Sequence, residues 1–265
     1  LVVDAKNNRL WVSSAANAEF AEFEKQDAGN TGLFEFSLDE LELLAKYPVP
    51  DDGRRHALGA MVQTDAGDIY AVDTVMPMVF RLAAGEDQIK PFAMSNDNVY
   101  LRDITISDDS TRLYLADYEL GITVLDLVGK QAAKVSGPSN LNFGGIEALE
   151  YWNGHLVMTQ SGIDPQRVLR LTLSADGASV ESVAPLAIAQ PFFDHPAAGA
   201  LLDGSLWFIA NSYGVRNAVQ PQPIGIAVTS VENVPDLVSP DIDKFWDEYY
   251  EKTGQPRPDQ TKEDS

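Results

Sequence analysis

His56, Arg102 with Asp103, Glu147, and Asp194 with His195 combine reactive side chains with a shared place in the local pattern. Each stands at or just before the start of a short apolar segment that reads as a β-strand. A carboxylate or an imidazole in such a place can serve as general base, and a second imidazole as acid or hydrogen-bond donor. Glu147 and His56 are the candidate bases, and His195 is the candidate acid. Arginine offers a planar fork to a carboxylate, so Arg102, beside Asp103, is the candidate holder of an anionic substrate group. The competing reading is that charges at strand entrances solvate a channel mouth and pair with one another. His155 follows Asn153-Gly154 and reads as an exposed turn residue.

Other chemistries have no carrier. Gly144-Gly145 has no GxGxxG or Walker pattern around it, and no G-x-S-x-G elbow or His-rich metal motif occurs. The chain has no cysteine, which excludes disulfides and thiol catalysis. That composition fits a periplasmic or secreted bacterial protein, and many cytosolic ones as well.

The elements that must position these residues repeat. Leu10-Trp11-Val12-Ser13-Ser14, Ile69-Tyr70-Ala71-Val72-Asp73, Leu113-Tyr114-Leu115-Ala116-Asp117, Leu156-Val157-Met158-Thr159-Gln160 and Leu206-Trp207-Phe208-Ile209-Ala210-Asn211 are variants of one strand, at steps of 59, 44, 43 and 50 residues. A period of about 40–50 residues marks the four-stranded blades of an all-β propeller. Strands are expected at 1–5, 10–14, 33–38 and 41–47; at 58–63, 69–73, 78–82 and 89–93; at 103–107, 113–117, 122–127 and 131–135; and at 146–152, 156–160, 168–173 and 180–187. A fifth blade has 198–202, 206–210 and 225–231, with no clear fourth strand. Asn153-Gly154 and Asp203-Gly204 supply the positive φ of tight hairpins between first and second strands. A β-sandwich would not need five copies in one internal order.

Asp73, Asp117, Gln160 and Asn211 recur at the ends of second strands. One reading is structural, with each bonded to backbone N–H groups of the next blade. The other adds Asp117, Tyr118 and Asn211 to Arg102 and Asp103 as substrate-binding residues.

Forty acidic residues against nineteen basic ones give a formal charge of −21. Nucleic acid and anionic membrane are disfavoured partners, and no apolar run is long enough for a membrane span. The first long step contains an acidic insertion, 15–31, with Glu19, Glu22, Glu24 and Asp27. Ser239-Pro240-Asp241 reads as a helix start, and Ile242, Phe245, Trp246 and Tyr249 follow at helical spacing up to Gly254. The expected organisation is a propeller over 1–233 with its N-terminal blade missing, a helical extension over 234–254, and a disordered tail over 255–265.

The first-and-second-strand pattern, as in Asp103-Ile104-Thr105-Ile106-Ser107-Asp108-Asp109-Ser110-Thr111-Arg112-Leu113-Tyr114-Leu115-Ala116-Asp117, resembles the gluconolactonase, senescence-marker-protein and luciferin-regenerating-enzyme superfamily and NHL-repeat propellers. The resemblance covers about residues 1–233 and implies six blades, of which about five are legible. It also implies a small-molecule site in the central channel, lactone or ester hydrolysis, and one divalent metal, usually calcium. By the repeat alignment Glu147 falls at a ligand Asp, Arg102 at an Asn-Gly pair and Gly59 near a further Asn. Only Glu147 keeps a carboxylate and Arg102 repels a cation, so no tight calcium site is expected. The alternative function is a non-catalytic propeller that binds a ligand or a protein partner.

Overall fold

The computed structural model describes residues 1–18, 22–94, 98–212, 223–234, 237–238 and 251. Five antiparallel sheets follow one another in chain order. The first has β1 (Val2–Asp4), β2 (Arg9–Ala15), β3 (Thr31–Ser37) and β4 (Leu43–Pro48), and the second β5 (Leu58–Gln63), β6 (Ile69–Asp73), β7 (Met78–Leu82) and β8 (Lys90–Met94). The third has β9 (Leu101–Ile106), β10 (Arg112–Asp117), β11 (Gly121–Asp126) and β12 (Gln131–Lys134). The fourth has β13 (Ile146–Trp152), β14 (His155–Gln160), β15 (Arg167–Leu173) and β16 (Val180–Ile188), and the fifth β17 (Gly199–Leu202), β18 (Ser205–Ile209) and β19 (Ile226–Ser230). Each sheet is a blade, and the first strand of each lies innermost. The fifth blade has three strands among the described residues, as its sequence suggests. No described helix is long and apolar enough to cross a membrane.

The repeated second strand is apolar at successive positions because it is buried on both sides. In β6, Ile69 and Ala71 enter the core between the first and second blades, and Tyr70 and Val72 enter the core between the second and third. In β10, Leu113 and Leu115 face the second blade while Tyr114 and Ala116 face the fourth. In β14, Leu156 and Met158 pack toward the third blade and Val157 toward the fifth. A strand sandwiched between two sheets loses the usual inside–outside alternation.

Two features differ from the expected organisation. Leu237–Val238 form a short strand, β20, on the outer edge of β16, within the segment expected to be a helical extension. The expected helix over 239–254 lies outside the described residues, except for position 251. His155 is the first residue of β14 rather than a turn residue, and it stacks on Trp152 at 5.5 Å.

Candidate functional site

The innermost strands surround a channel of about 830 Å³. Its polar lining comprises Ser13, Gln63, Arg102, Asp103, Thr105, Glu147, Glu150, Tyr151 and Ser212. Its apolar wall includes Val2, Met61, Ile104, Ala198, Ala200 and Leu201.

Arg102 and Glu147 reach this channel through matching irregularities. In β9, Asp103 opposes Ala116 and Leu101 opposes Asp117, so Arg102 is the extra residue of a β-bulge. In β13, Ile146 opposes Gln160 and Ala148 opposes Thr159, which makes Glu147 the extra residue. In β5, Gly59 and Ala60 together stand opposite Val72. A bulge turns one side chain away from the ladder, and here it recurs at the same place in three consecutive blades. The repeat alignment of Gly59, Arg102 and Glu147 thus holds in three dimensions.

Arg102 and Glu147 meet, with Nη2 3.0 Å from a Glu147 carboxylate oxygen. Arg102 Nη1 donates to the Tyr100 hydroxyl at 2.8 Å. The guanidinium lies 4.6 Å from the Tyr100 ring centre and 5.5 Å from that of Tyr118. Its Nε is buried and has no hydrogen-bond partner among the described residues. Tyr118 therefore acts from behind, as a platform for the arginine, through its ring.

Asp103 also reaches the channel, but it fastens neighbouring blades. Its Oδ2 accepts from the Leu149 N–H and its Oδ1 from the Ile104 N–H, both at 2.8 Å. One turn of the pleat further on, the Thr105 hydroxyl accepts from the Tyr151 N–H at 2.9 Å. Burial pushes Asp103 up to about 7, against the pull of its two backbone hydrogen bonds. Glu150 is a site residue that sequence reasoning missed. Burial, with the charge of Asp103 added, pushes it up to about 8. Its one sequence signal is a carboxylate inside the run Ile146-Glu147-Ala148-Leu149-Glu150-Tyr151-Trp152, where the strand was expected to be innermost.

The two candidate histidines do not join Arg102 and Glu147. His56 is buried beside Phe80, with Nδ1 2.5 Å from Asp73 and Nε2 3.0 Å from Asp52. Burial disfavours its charged form, but its hydrogen bonds to Asp73 and Asp52 outweigh this and raise its pKa. His195 sits in the loop before β17 with φ 58°, its Nδ1 3.4 Å from Asp194. Neither ring lines the channel cavity. The reason is backbone geometry: in the third and fourth blades the channel-facing place is the bulge itself, whereas His56 lies on the loop ahead of β5.

The polar strand ends are structural, and they serve their own blade rather than the next. Asp117 is fully buried and accepts from the N–H groups of Val99, Tyr100, Glu119 and Leu120. Asp73 does the same for Ala57, Val75 and Met76. Asn211 donates to the Pro223 carbonyl and accepts from the Gly225 N–H. Asp73 and Asp117 lock the loop entering the first strand to the end of the second, and Asn211 locks the loop entering β19 to the end of β18, which leaves Asp117 and Asn211 engaged with backbone rather than with the cavity.

At the three aligned positions the described residues offer a calcium ion one carboxylate, and that one is taken. Calcium takes six to eight oxygens. The one retained carboxylate, Glu147, holds a guanidinium, and Gly59 has no donor side chain. Among the described residues no group of three or more His, Asp or Glu side chains could hold a metal.

No family model and no curated protein matches this sequence. Several solved structures match in fold. The major Malassezia sympodialis allergen Mala s 1 is 16% identical with a TM-score of 0.58, over 86% of this chain and 75% of that one. Virginiamycin B lyase from Staphylococcus aureus is 17% identical with a TM-score of 0.53, over 82% of this chain. The chain spans 66% of that lyase's length. The Neurospora crassa Pan2 WD40 domain is 11% identical with a TM-score of 0.56, over 87% of this chain and 61% of that one. At these identities the likeness shows the architecture, and the chain is a β-propeller similar in fold to these proteins.

Proposed function

We propose that this propeller takes a small polar molecule into its central channel and hydrolyses a lactone or ester bond in it, with Glu147 as general base and Arg102 steering the substrate. The observation that carries this reading is the Arg102–Glu147 pair, presented by two bulges into a cavity of small-molecule size. A base must lie within hydrogen-bond reach of the water it activates, and the bulge holds the Glu147 carboxylate at the cavity wall. The resemblance to lactonase propellers points the same way. Virginiamycin B lyase, a propeller of similar fold, is named as an enzyme, but as a lyase rather than a hydrolase.

His56 and His195 have no chemical step in this reading. An ion pair that opens onto substrate frees Glu147 for water and Arg102 for an oxygen of the ligand. A panel of lactones and aryl esters tests it. Glu147→Gln is expected to lower kcat by about 10²–10⁴-fold, the usual weight of a general base. Arg102→Ala is expected to raise KM with a smaller change in kcat if it supplies uniform binding. Wild-type turnover no higher than that of the double variant would end the hydrolytic reading.

One observation favours a second reading, a channel that only binds. Arg102 is already held by Glu147 and Tyr100, so the pair can stand as a fixed polar wall. In that case the same substitutions change ligand affinity and no substrate turns over.

A further inference from the structure

We propose that Glu150 is the acid of the channel, the group that gives a proton to the departing oxygen of the lactone or ester; this rests on the hydrolytic reading above. Glu150 lies three residues after Glu147 on β13 and lines the same cavity. The two other carboxyls of the wall are committed. Glu147 holds Arg102, and Asp103 accepts two backbone N–H groups. Glu150 makes no hydrogen bond or ion pair among the described residues. It is the carboxyl left to a ligand.

The surroundings keep a proton on it. Facing strands β5 and β17 carry no ionisable side chain. On β9, Arg102 is neutralised by Glu147, and Asp103 opposes any charge on Glu150. On β1, Asp4 is engaged with Asn7 and Gln63, and the Leu1 amino group just ahead of it, also on the cavity wall, pulls on Asp103. On β10, Asp117 is saturated by backbone and Tyr114 is buried in the core between the third and fourth blades. Arg112, on the same strand, and His155, on β14, do not shift Glu150. With burial raising it to about 8, Glu150 is mostly protonated at neutral pH. Two carboxyls in unlike environments take unlike roles, one accepting and one donating.

The step balances without a further reactant. Glu147 takes a proton from water as its oxygen bonds to the carbonyl carbon. The ring or ester C–O bond breaks, its electron pair stays on the departing oxygen, and Glu150 supplies that oxygen with a proton. The product is a hydroxy acid, or an acid and an alcohol. Glu147 then returns its proton through water to Glu150.

Two measurements test the proposal. In protein carrying ¹³C-labelled glutamate carboxyls, one side-chain resonance should titrate near neutral pH and vanish in Glu150→Gln. In kinetics, Glu150→Gln should slow an alkyl lactone about 10²-fold or more, because an alkoxide leaving group needs the proton. An aryl ester, whose phenoxide leaves unaided, should slow by less than about tenfold. Glu150→Asp, which keeps the acid, should restore part of the lactone rate. If the wild type hydrolyses the lactone and Glu150→Gln does so equally well, the acid role is overturned while the hydrolytic reading stands. Absence of a carboxyl titrating near neutral pH also overturns it. If the wild type turns over neither substrate, the hydrolytic reading fails and takes the acid role with it.

Discussion

Arg102 reaches the channel with each terminal nitrogen already engaged, Nη1 by Tyr100 and Nη2 by Glu147. The sequence groups Glu147 and Tyr118 with Arg102 at one pocket, but neither the contacts themselves nor Tyr100 as a partner can be read from it. His56 stands apart from the channel cavity for a related reason. Its entrance position is plain in the sequence, but of the two carboxylates that enclose it Asp52 comes from the same loop, and Asp73 becomes a neighbour only when β5 and β6 pair. Glu150 went unnoticed because a lone carboxylate in a strand ordinarily faces solvent. Its setting makes a prediction about stability. Asp103 and Glu150 bind protons more tightly in the folded chain than at their ordinary values of 3.8 and 4.5. Their contribution is therefore complete below pH 4 and is lost as pH climbs through about 7 and 8. His56, also raised, acts in the same direction. Asp117 works oppositely: burial would raise it, but its backbone hydrogen bonds win and lower it, so its contribution is lost as pH falls into the acid range. Denaturant titrations should show stability falling by about 2 kcal/mol or more between pH 5 and 8.5, and Glu150→Gln should flatten part of that slope. A wild-type profile that is level or rising across this window would remove the basis for a protonated Glu150.

The bulge that presents Glu147 depends on how its strand begins. Gly145 has φ +71°, and a Cβ there would lie 2.8 Å from the backbone of Gly162. Gly145 N–H donates to the Tyr118 carbonyl, and Gly162 N–H donates back to the Gly145 carbonyl. Gly162 in turn leaves room for the Tyr118 ring, since a Cβ on it would meet the Tyr118 hydroxyl oxygen. Two glycines therefore seat the tyrosine that backs Arg102 and fix the start of the strand that carries Glu147. Nothing about Gly144-Gly145 as a sequence motif says this; the pair reads only as a turn lacking phosphate-loop context. Strand identity was far easier to read, because burial on both sides writes a continuous apolar run. Bulges leave no such trace, and register became visible only with the partner strand in place. Gly145→Ala is expected to destabilise by about 1–3 kcal/mol, through the strained φ and the backbone contact. Urea unfolding measures it. The same variant should lose channel activity or ligand affinity beyond the loss in folded fraction, because Glu147 and Tyr118 both shift. A variant as stable and active as the wild type would show that this approach does not position the site.

Four apolar cores join five blades among the described residues, one between each consecutive pair. A closed ring of five would need a fifth core, between the last blade and the first. Among the described residues, two sheet faces with exposed apolar side chains stand in its place. On the fifth blade, Trp207 pairs with Ala200 and Val228 and shares their face with Leu202 and Ile226; Trp207 is 46% exposed and Val228 49%. On the first blade, Val3, Leu10, Phe36 and Leu43 are successive cross-strand partners on the face turned away from the core around Trp11. The repeat made the blade count legible, and the resemblance raised the expectation of six; five are found among the described residues. The apolar character of β2 and β18 was equally visible, but a sequence does not say which of two apolar faces is covered. Contiguous exposed apolar surface of this kind binds hydrophobic dyes and promotes association. The 265-residue chain should therefore bind an anilinonaphthalene dye in its folded state. Trp207→Ser with Val228→Thr should reduce that binding and any concentration-dependent association. Their effect on stability should stay within about 0.5 kcal/mol, since substitutions at exposed positions remove little buried surface. The fluorescence lost in Trp207→Phe should be red-shifted and open to iodide quenching. A blue-shifted, protected Trp207, or a double variant destabilised like a core mutant, would mean that this face is covered in solution and that the fifth and first blades do not stand open.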